Sequence, residues 1–263
     1  MDKRSTATNL SCFAQYVANV LDNQGQVDVI YTDFSKAFDK INHELLLQKL
    51  HAFGFNQSLI LLFRSYLSNR KQYVTYNGFK SNNVTPCSGV PQGSNLGPLL
   101  FILFINDITD ILRPDLLIHL LLFADDLKIF SKVTSITDCI LLQNVLEKIV
   151  TWCVKNKLPL NITKCHVVSY TRKKEYCSFD YSICNTSLIR CNVVKDLGVI
   201  FDNSFTFDDH IAHITTSSLK MLGFVISSCK VFDDIETLKQ VYYSYVRSKL
   251  EYCCIVWTPY FYC

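Results

Sequence analysis

An apolar, β-rich stretch with Asp33 at its end spans Val27–Phe34, and apolar residues then recur at helical spacing over Asn42–Phe53, where Gly54 closes the pattern. A second helix is expected over Gln57–Asn69. Gln72–Tyr76 precedes Asn77-Gly78, the strongest short hairpin signal. Leu99–Leu112 reads as an apolar helix, and Leu116–Phe123 and Leu127–Phe130 as two strands flanking Ala124-Asp125-Asp126, a hairpin with a carboxylate pair at its tip. Ser135 and Asp138 have capping-box spacing for a helix running to about Asn156, stopped by Pro159. Short strands are expected at Val167–Tyr170, Ile183–Ile189 and Val193–Phe201, then amphipathic helices over His210–Ile226 and Ile235–Trp257. The order is mixed α/β, with no internal repeat. The longest apolar runs, Pro98–Ile105 and Leu116–Ala124, fall well short of the roughly 20 residues a bilayer requires, so no membrane span is expected.

Composition narrows the class. The chain has 263 residues, 49% hydrophobic and 19% charged, which excludes extended disorder and allows one or two domains with a sizeable core. A net charge of +3 permits a polyanionic partner without demanding one. The 12 cysteines form no C-x-x-C pair, and in so long and apolar a chain they read as reduced, packed thiols rather than disulfide staples. Met1–Thr6 leads into mixed sequence instead of a compact apolar leader, so an intracellular chain is expected.

Glycine and proline gather in one place, between Pro86 and Pro98, where positive φ or close backbone approach to a ligand is available; a long structural turn fits that loop equally well. Asp33, Asp125 and Asp126 each close an apolar run. Carboxylates so placed are partly desolvated and repel one another unless a cation sits between them, and oxygen-only donors favour Mg²⁺ or Mn²⁺. Taken alone, Asp125-Asp126 is more readily a solvated turn than a metal site.

Five segments in order carry a resemblance. Asp33–Asp39, Gly89–Pro98, Phe123–Asp126, Leu160–Cys165 and Lys195–Asp202 resemble the successive palm motifs of the reverse transcriptase domain of non-LTR (LINE-type) retrotransposons, the jockey-like branch in particular. The resemblance implies an α/β (α+β) right-hand polymerase: a ferredoxin-like antiparallel palm with partial fingers over 1–202 and a partial helical thumb over 203–263. It implies that Asp33 and Asp125 hold two Mg²⁺ ions, Mn²⁺ being possible, with Asp126 supporting and the Phe34 carbonyl a backbone ligand.

Further roles follow from the same resemblance. Phe38 would exclude a ribose 2′-hydroxyl, Gln92 and Gly93 would contact the incoming nucleotide and template, and Lys164 would donate a proton to pyrophosphate. Leu197 and Gly198 would form the primer grip. Lys220, Lys230, Lys239, Arg247, Lys249 and the Arg172-Lys173-Lys174 run are candidate phosphate contacts, although most read more readily as solvated helix faces and the last as a loop tip. The implied partners are an RNA template, a DNA primer and deoxynucleoside triphosphates. Family members are far longer, with an upstream endonuclease and fingers segments, and few residues precede Asp33 here. A truncated chain is therefore expected: a polymerase palm and thumb, a non-catalytic remnant that at most binds RNA or RNA–DNA duplex, or a chain that does not fold independently.

Overall fold

The computed structural model describes residues 5–112, 117–230 and 234–258. It begins with a helix that is not among the elements expected above, α1 (Thr6–Asp22). Ser5 and Thr8 cap it reciprocally, and Leu10, Phe13, Ala14, Val17 and Leu21 form its buried stripe. β1 (Gln26–Thr32) is buried along its whole length. Asn42 and Asn56 accept backbone N–H bonds at the starts of α2 (His43–Ala52) and α3 (Gln57–Leu67). β2 (Thr75–Tyr76) and β3 (Phe79–Lys80) pair across Asn77-Gly78, whose φ angles of 46° and 82° are those of a tight hairpin turn. α4 (Leu96–Ile105) runs on into a 3₁₀ turn at Asn106–Leu112.

β4 (His119–Phe123) and β5 (Asp126–Lys132) form the expected hairpin; Leu116 lies outside the described residues. α5 (Ile136–Lys155) starts at the Ser135–Asp138 capping box and leads to β6 (His166–Thr171). Three expectations need correction. Ile183–Ile189 is not one strand: Cys184 and Asn185 take left-handed φ of 49° and 63°, turning the chain between β7 (Ser182–Ile183) and β8 (Thr186–Ser187) before β9 (Ile189–Arg190). Val193–Phe201 likewise folds back on itself as β10 (Val193–Asp196) and β11 (Val199–Asp202), with Leu197 and Gly198 at φ 44° and 90°. After α6 (Asp208–Ser228), Ile235–Trp257 is no continuous helix. It comprises α7 (Ile235–Tyr242), a wider π-type turn at Tyr243–Arg247, α8 (Ser248–Glu251) and, beyond left-handed Cys253, α9 (Cys254–Trp257).

The main sheet has the order β4-β5-β1-β6-β9, with β1 antiparallel to both β5 and β6 and β9 parallel to β6. Strand, crossover, hairpin, helix and strand in this order give the expected ferredoxin-like βαββαβ arrangement. One face buries Ile30, Ile129 and Val167 beneath Leu46 of α2, Phe104 of α4 and Leu146 of α5. The other packs Val29, Phe130 and Tyr170 against α1 and the β10–β11 hairpin. Phe13 is the hub of this second layer, edge-on to Phe130, Tyr170 and Phe201 with centroids 5.3, 5.7 and 5.5 Å away. Among the described residues no helix is long and apolar enough to cross a membrane, and the cysteines are free thiols.

Phe13 is fully buried, so Phe13→Ala is expected to cost about 3–5 kcal/mol. Urea denaturation should show this as a lowered midpoint at unchanged slope.

Candidate active site

Asp33 follows β1 directly, with strands on both sides. Thr32 faces Leu127 of β5 and Tyr31 faces His166 of β6. Continuing the β1–β5 register by one residue sets Asp33 opposite Asp126, on the face that carries Tyr31 and Lys128. On the other side the chain leaves the sheet ahead of β6 in a 3₁₀ turn that carries Lys164. The Lys164 ammonium lies 3.6 Å from Asp33 Oδ2. Lys164 closes the 3₁₀ turn Ile162–Lys164, which is tied to β1 by the Asn161 N–H donating to the Asp33 carbonyl at 2.7 Å. The Ser35 N–H donates to the Pro159 carbonyl at 2.9 Å, and neither bond uses the carbonyl of Phe34, whose ring is buried in the core.

Phe123 pairs with Asp126, leaving Ala124 and Asp125 as a two-residue loop in which Ala124 takes a left-handed φ of 51°. Burial raises the Asp126 carboxyl above its ordinary range, and the negative charges of Asp125, Asp196 and Asp33 raise it further, partly offset by Lys128. Residues distant in sequence thus share one electrostatic field. A cavity of about 220 Å³ opens there, lined by Asp33, Asp126, Lys164, Lys128, Asp196 and Leu197 among others. Its acidic donors are oxygen-only, which suits a hard divalent cation and would relieve the repulsion at Asp126. Among the described residues, no three His, Cys, Asp or Glu side chains form a ready metal-binding group.

Two residues that the sequence pattern does not single out form the floor. Lys128 and Asp196 are buried and joined as an ion pair, and the ammonium sits 4.4 Å from the centroid of the Phe13 ring. Burial lowers the Lys128 pKa, while Asp196 acts to raise it. The available signal was a lone charge inside the apolar Leu127–Phe130 run. Asp196 ends β10 just before the Leu197-Gly198 turn, so the pair joins β5, which carries Asp126, to that hairpin. The turn is also held from above: the Tyr252 hydroxyl donates to the Leu197 carbonyl at 2.8 Å, and a Cβ on Gly198 would lie 3.1 Å from the Tyr252 ring.

The glycine-rich loop forms a neighbouring group. Gly89, at φ 84°, lies so close to Asp39 that a Cβ would sit 2.7 Å from its carbonyl oxygen. Backbone bonds from Gly89 to Ile41 (2.8 Å) and from Val90 to Phe38 (2.9 Å) dock the loop, and Gln92 Nε2 donates to Asp39 Oδ1 at 2.8 Å. Phe38 stacks on Phe101, centroids 4.4 Å apart. Gly93 has φ 77° and open space where a Cβ would stand. Phe38 and Gln92 are thus tied into one docked loop, and none of Phe38, Gln92 and Gly93 lines the carboxylate cavity. Of the C-terminal cations, Lys239 and Arg247 pair with Glu236 and Glu251, whereas Lys220 and Lys249 line an open groove. Arg172, Lys173 and Lys174 line a separate cleft with Arg190.

Comparison with known proteins gives a consistent picture. The profile of the family described as reverse transcriptase (RNA-dependent DNA polymerase) matches residues 1–226. The chain is 30% identical over 222 residues to the RNA-directed DNA polymerase from mobile element jockey of Drosophila funebris, covering 82% of this chain and 24% of that protein. It is 27% identical to the probable RNA-directed DNA polymerase from transposon X-element of Drosophila melanogaster, over 80% of this chain and 23% of the relative. The chain thus spans about a quarter of the length of these relatives. Among solved structures, apo telomerase from Candida tropicalis, truncated from its C-terminal domain, superimposes with a TM-score of 0.53 at 14% identity, over 76% of this chain and 39% of that one. That likeness bears on the fold, a right-hand polymerase.

Two outcomes are expected. With its raised pKa, folded Asp126 holds a proton that the unfolded chain has already lost, so without divalent cations stability falls as pH rises from 3.8 through the raised value. In EDTA at neutral pH, Asp126→Asn should melt at a higher temperature than the parent, and the difference should vanish in acid. Lys128→Met strands a buried carboxylate and should cost about 3–5 kcal/mol by chemical denaturation, most of it recovered in Lys128→Met/Asp196→Leu.

Proposed function

Since the chain belongs to the reverse transcriptase (RNA-dependent DNA polymerase) family, we propose that it forms the palm and part of the thumb of an RNA-directed DNA polymerase that adds deoxynucleotides to a primer 3′-hydroxyl. Residues 1–202 would make up partial fingers and palm, and 203–263 part of a helical thumb. The observation that carries this reading is the meeting of Asp126, Asp33 and Lys164 on one cavity that Leu197 also lines.

Asp33, Asp125 and Asp126, with the Phe34 carbonyl, would hold Mg²⁺ or Mn²⁺, which when bound lowers the pKa of the attacking hydroxyl and neutralises phosphate charge. The chain's own groups do the rest by positioning and electrostatics. Lys164, two-thirds exposed and beside Asp33, would donate a proton to the departing pyrophosphate. The Leu197-Gly198 turn, fixed from below by Lys128–Asp196 and from above by Tyr252, would orient the primer end. Phe38, braced against Phe101, would close the space a ribose 2′-hydroxyl needs. Gln92, steadied by Asp39, and Gly93 would face the incoming nucleotide and the template backbone.

Primer extension on an RNA template with Mg²⁺ tests the reading. The parent should extend the primer, and joint Asp125→Ala and Asp126→Ala replacement should reduce extension to background with the fold retained by circular dichroism. Lys164→Met should slow turnover by about 10²-fold, and Phe38→Ala should increase ribonucleotide incorporation. A folded parent that binds template and primer but never extends would overturn the assignment.

A further inference from the structure

Between Glu44 and Asp107 the chain contains no acidic residue, while it carries Lys49, Arg64, Arg70, Lys71 and Lys80. Lys49 pairs with Asp107 and Arg64 with Glu44. Arg70, Lys71 and Lys80 make no ion pair with any described carboxylate. These three cations belong to an arm: every residue from 68 to 85 is exposed. The arm is the β2–β3 hairpin with its flanks, closed at its base by reciprocal 2.9 Å backbone bonds between Gln72 and Val84.

The arm's surface is aromatic. Tyr73, Tyr76 and Phe79 are 51%, 76% and 80% exposed. Tyr76 and Phe79 are cross-strand partners and so share one face at the tip. On the other face the Lys80 ammonium lies 5.1 Å from the Tyr73 centroid, and at the base the Arg70 guanidinium lies 5.8 Å from that of Tyr66. A two-stranded hairpin standing alone in water is marginal, and large exposed rings on it signal a surface made to be covered. Rings interleaved with unpaired cations, in a stretch free of acids, match a chain of phosphates with accessible bases, because every base has a π-face to stack and a phosphate to neutralise.

We propose that this hairpin arm is a stacking platform for single-stranded nucleic acid, with Tyr76 and Phe79 receiving bases and Arg70, Lys71 and Lys80 tracking phosphates. Its place in the chain suits an approaching template: Val84 is only five residues, at most about 18 Å of extended chain, from Gly89, which rests on Asp39. The assignment of the strand as template rests on the polymerase reading above; the binding itself does not.

Fluorescence anisotropy with labelled oligouridine, oligothymidine and a blunt RNA duplex tests the proposal on the full chain. Tyr76→Ala/Phe79→Ala should weaken single-strand binding at least about 25-fold, from a loss of about fivefold or more per ring, and change duplex binding little. Phe79→Trp should preserve affinity and show indole quenching when the strand binds. Replacing Arg70, Lys71 and Lys80 together by Gln should lower the slope of log affinity against log salt by about 0.7 for each phosphate deprived of its cation. A preference for oligouridine over oligothymidine would favour RNA, and equal affinity would mean that the arm accepts either strand. Unchanged single-strand binding in the double alanine variant, equal weakening on duplex, or a concentration-dependent self-association of the parent that the variant lacks would overturn the proposal. Asp125→Ala/Asp126→Ala should bind oligouridine as the parent does, so failure of the arm and failure of the polymerase assignment are read separately.

Discussion

A desolvated ion pair, Lys128 with Asp196, organises the region where the chain's acidic residues meet. Both side chains are buried, and removing them from water costs more than ordinary attraction returns unless geometry and further contacts assist. The assistance comes from the Phe13 ring under the ammonium and from the sheet itself, which fixes Lys128 opposite Tyr31. In consequence the β10–β11 hairpin is not free to drift across the sheet. Its turn is held at the edge of the cavity that Asp33 and Asp126 line.

Both faces of the sheet combine apolar packing with buried polar groups. The layer under α2, α4 and α5 joins its aliphatic and aromatic side chains to the fully buried Asp28 carboxylate, which accepts hydrogen bonds from Gln26, Ser169 and Tyr181. The opposite layer mixes Phe13 and its ring neighbours with buried polar groups, including the Tyr31 and Tyr170 hydroxyls, 2.9 Å apart. Antiparallel pairing on both sides of β1 then turns a local sequence fact, an acid at the end of an apolar run, into a spatial one: a carboxylate flanked by a second carboxylate and an ammonium.

Much of this was legible in the sequence because it is local. The Asn77-Gly78 turn, the Ser135–Asp138 capping box and the acids closing apolar runs each depend on a few adjacent residues. What stayed hidden depends on partners far apart in the chain. Nothing near Lys128 announces Asp196, and nothing near Gly198 announces Tyr252. The Ile183–Ile189 and Val193–Phe201 stretches look like strands because apolar content outweighs a turn made by Cys184-Asn185 or Leu197-Gly198, whose left-handed backbones leave little trace in hydropathy. α1 was as legible as the local signals: Leu10, Phe13, Ala14, Val17 and Leu21 recur at helical spacing behind a Ser5–Thr8 cap, with polar residues on the opposite side.

The bond from Tyr252 to the Leu197 carbonyl makes the C-terminal helices a lever. They cannot swing away from the sheet without surrendering that bond or dragging the turn with them, and the turn itself is anchored through Asp196. A displacement of the helical region is thereby transmitted to the cavity's rim, through the Tyr252 phenol and through the packing of Cys253, Val256 and Trp257 on the second layer.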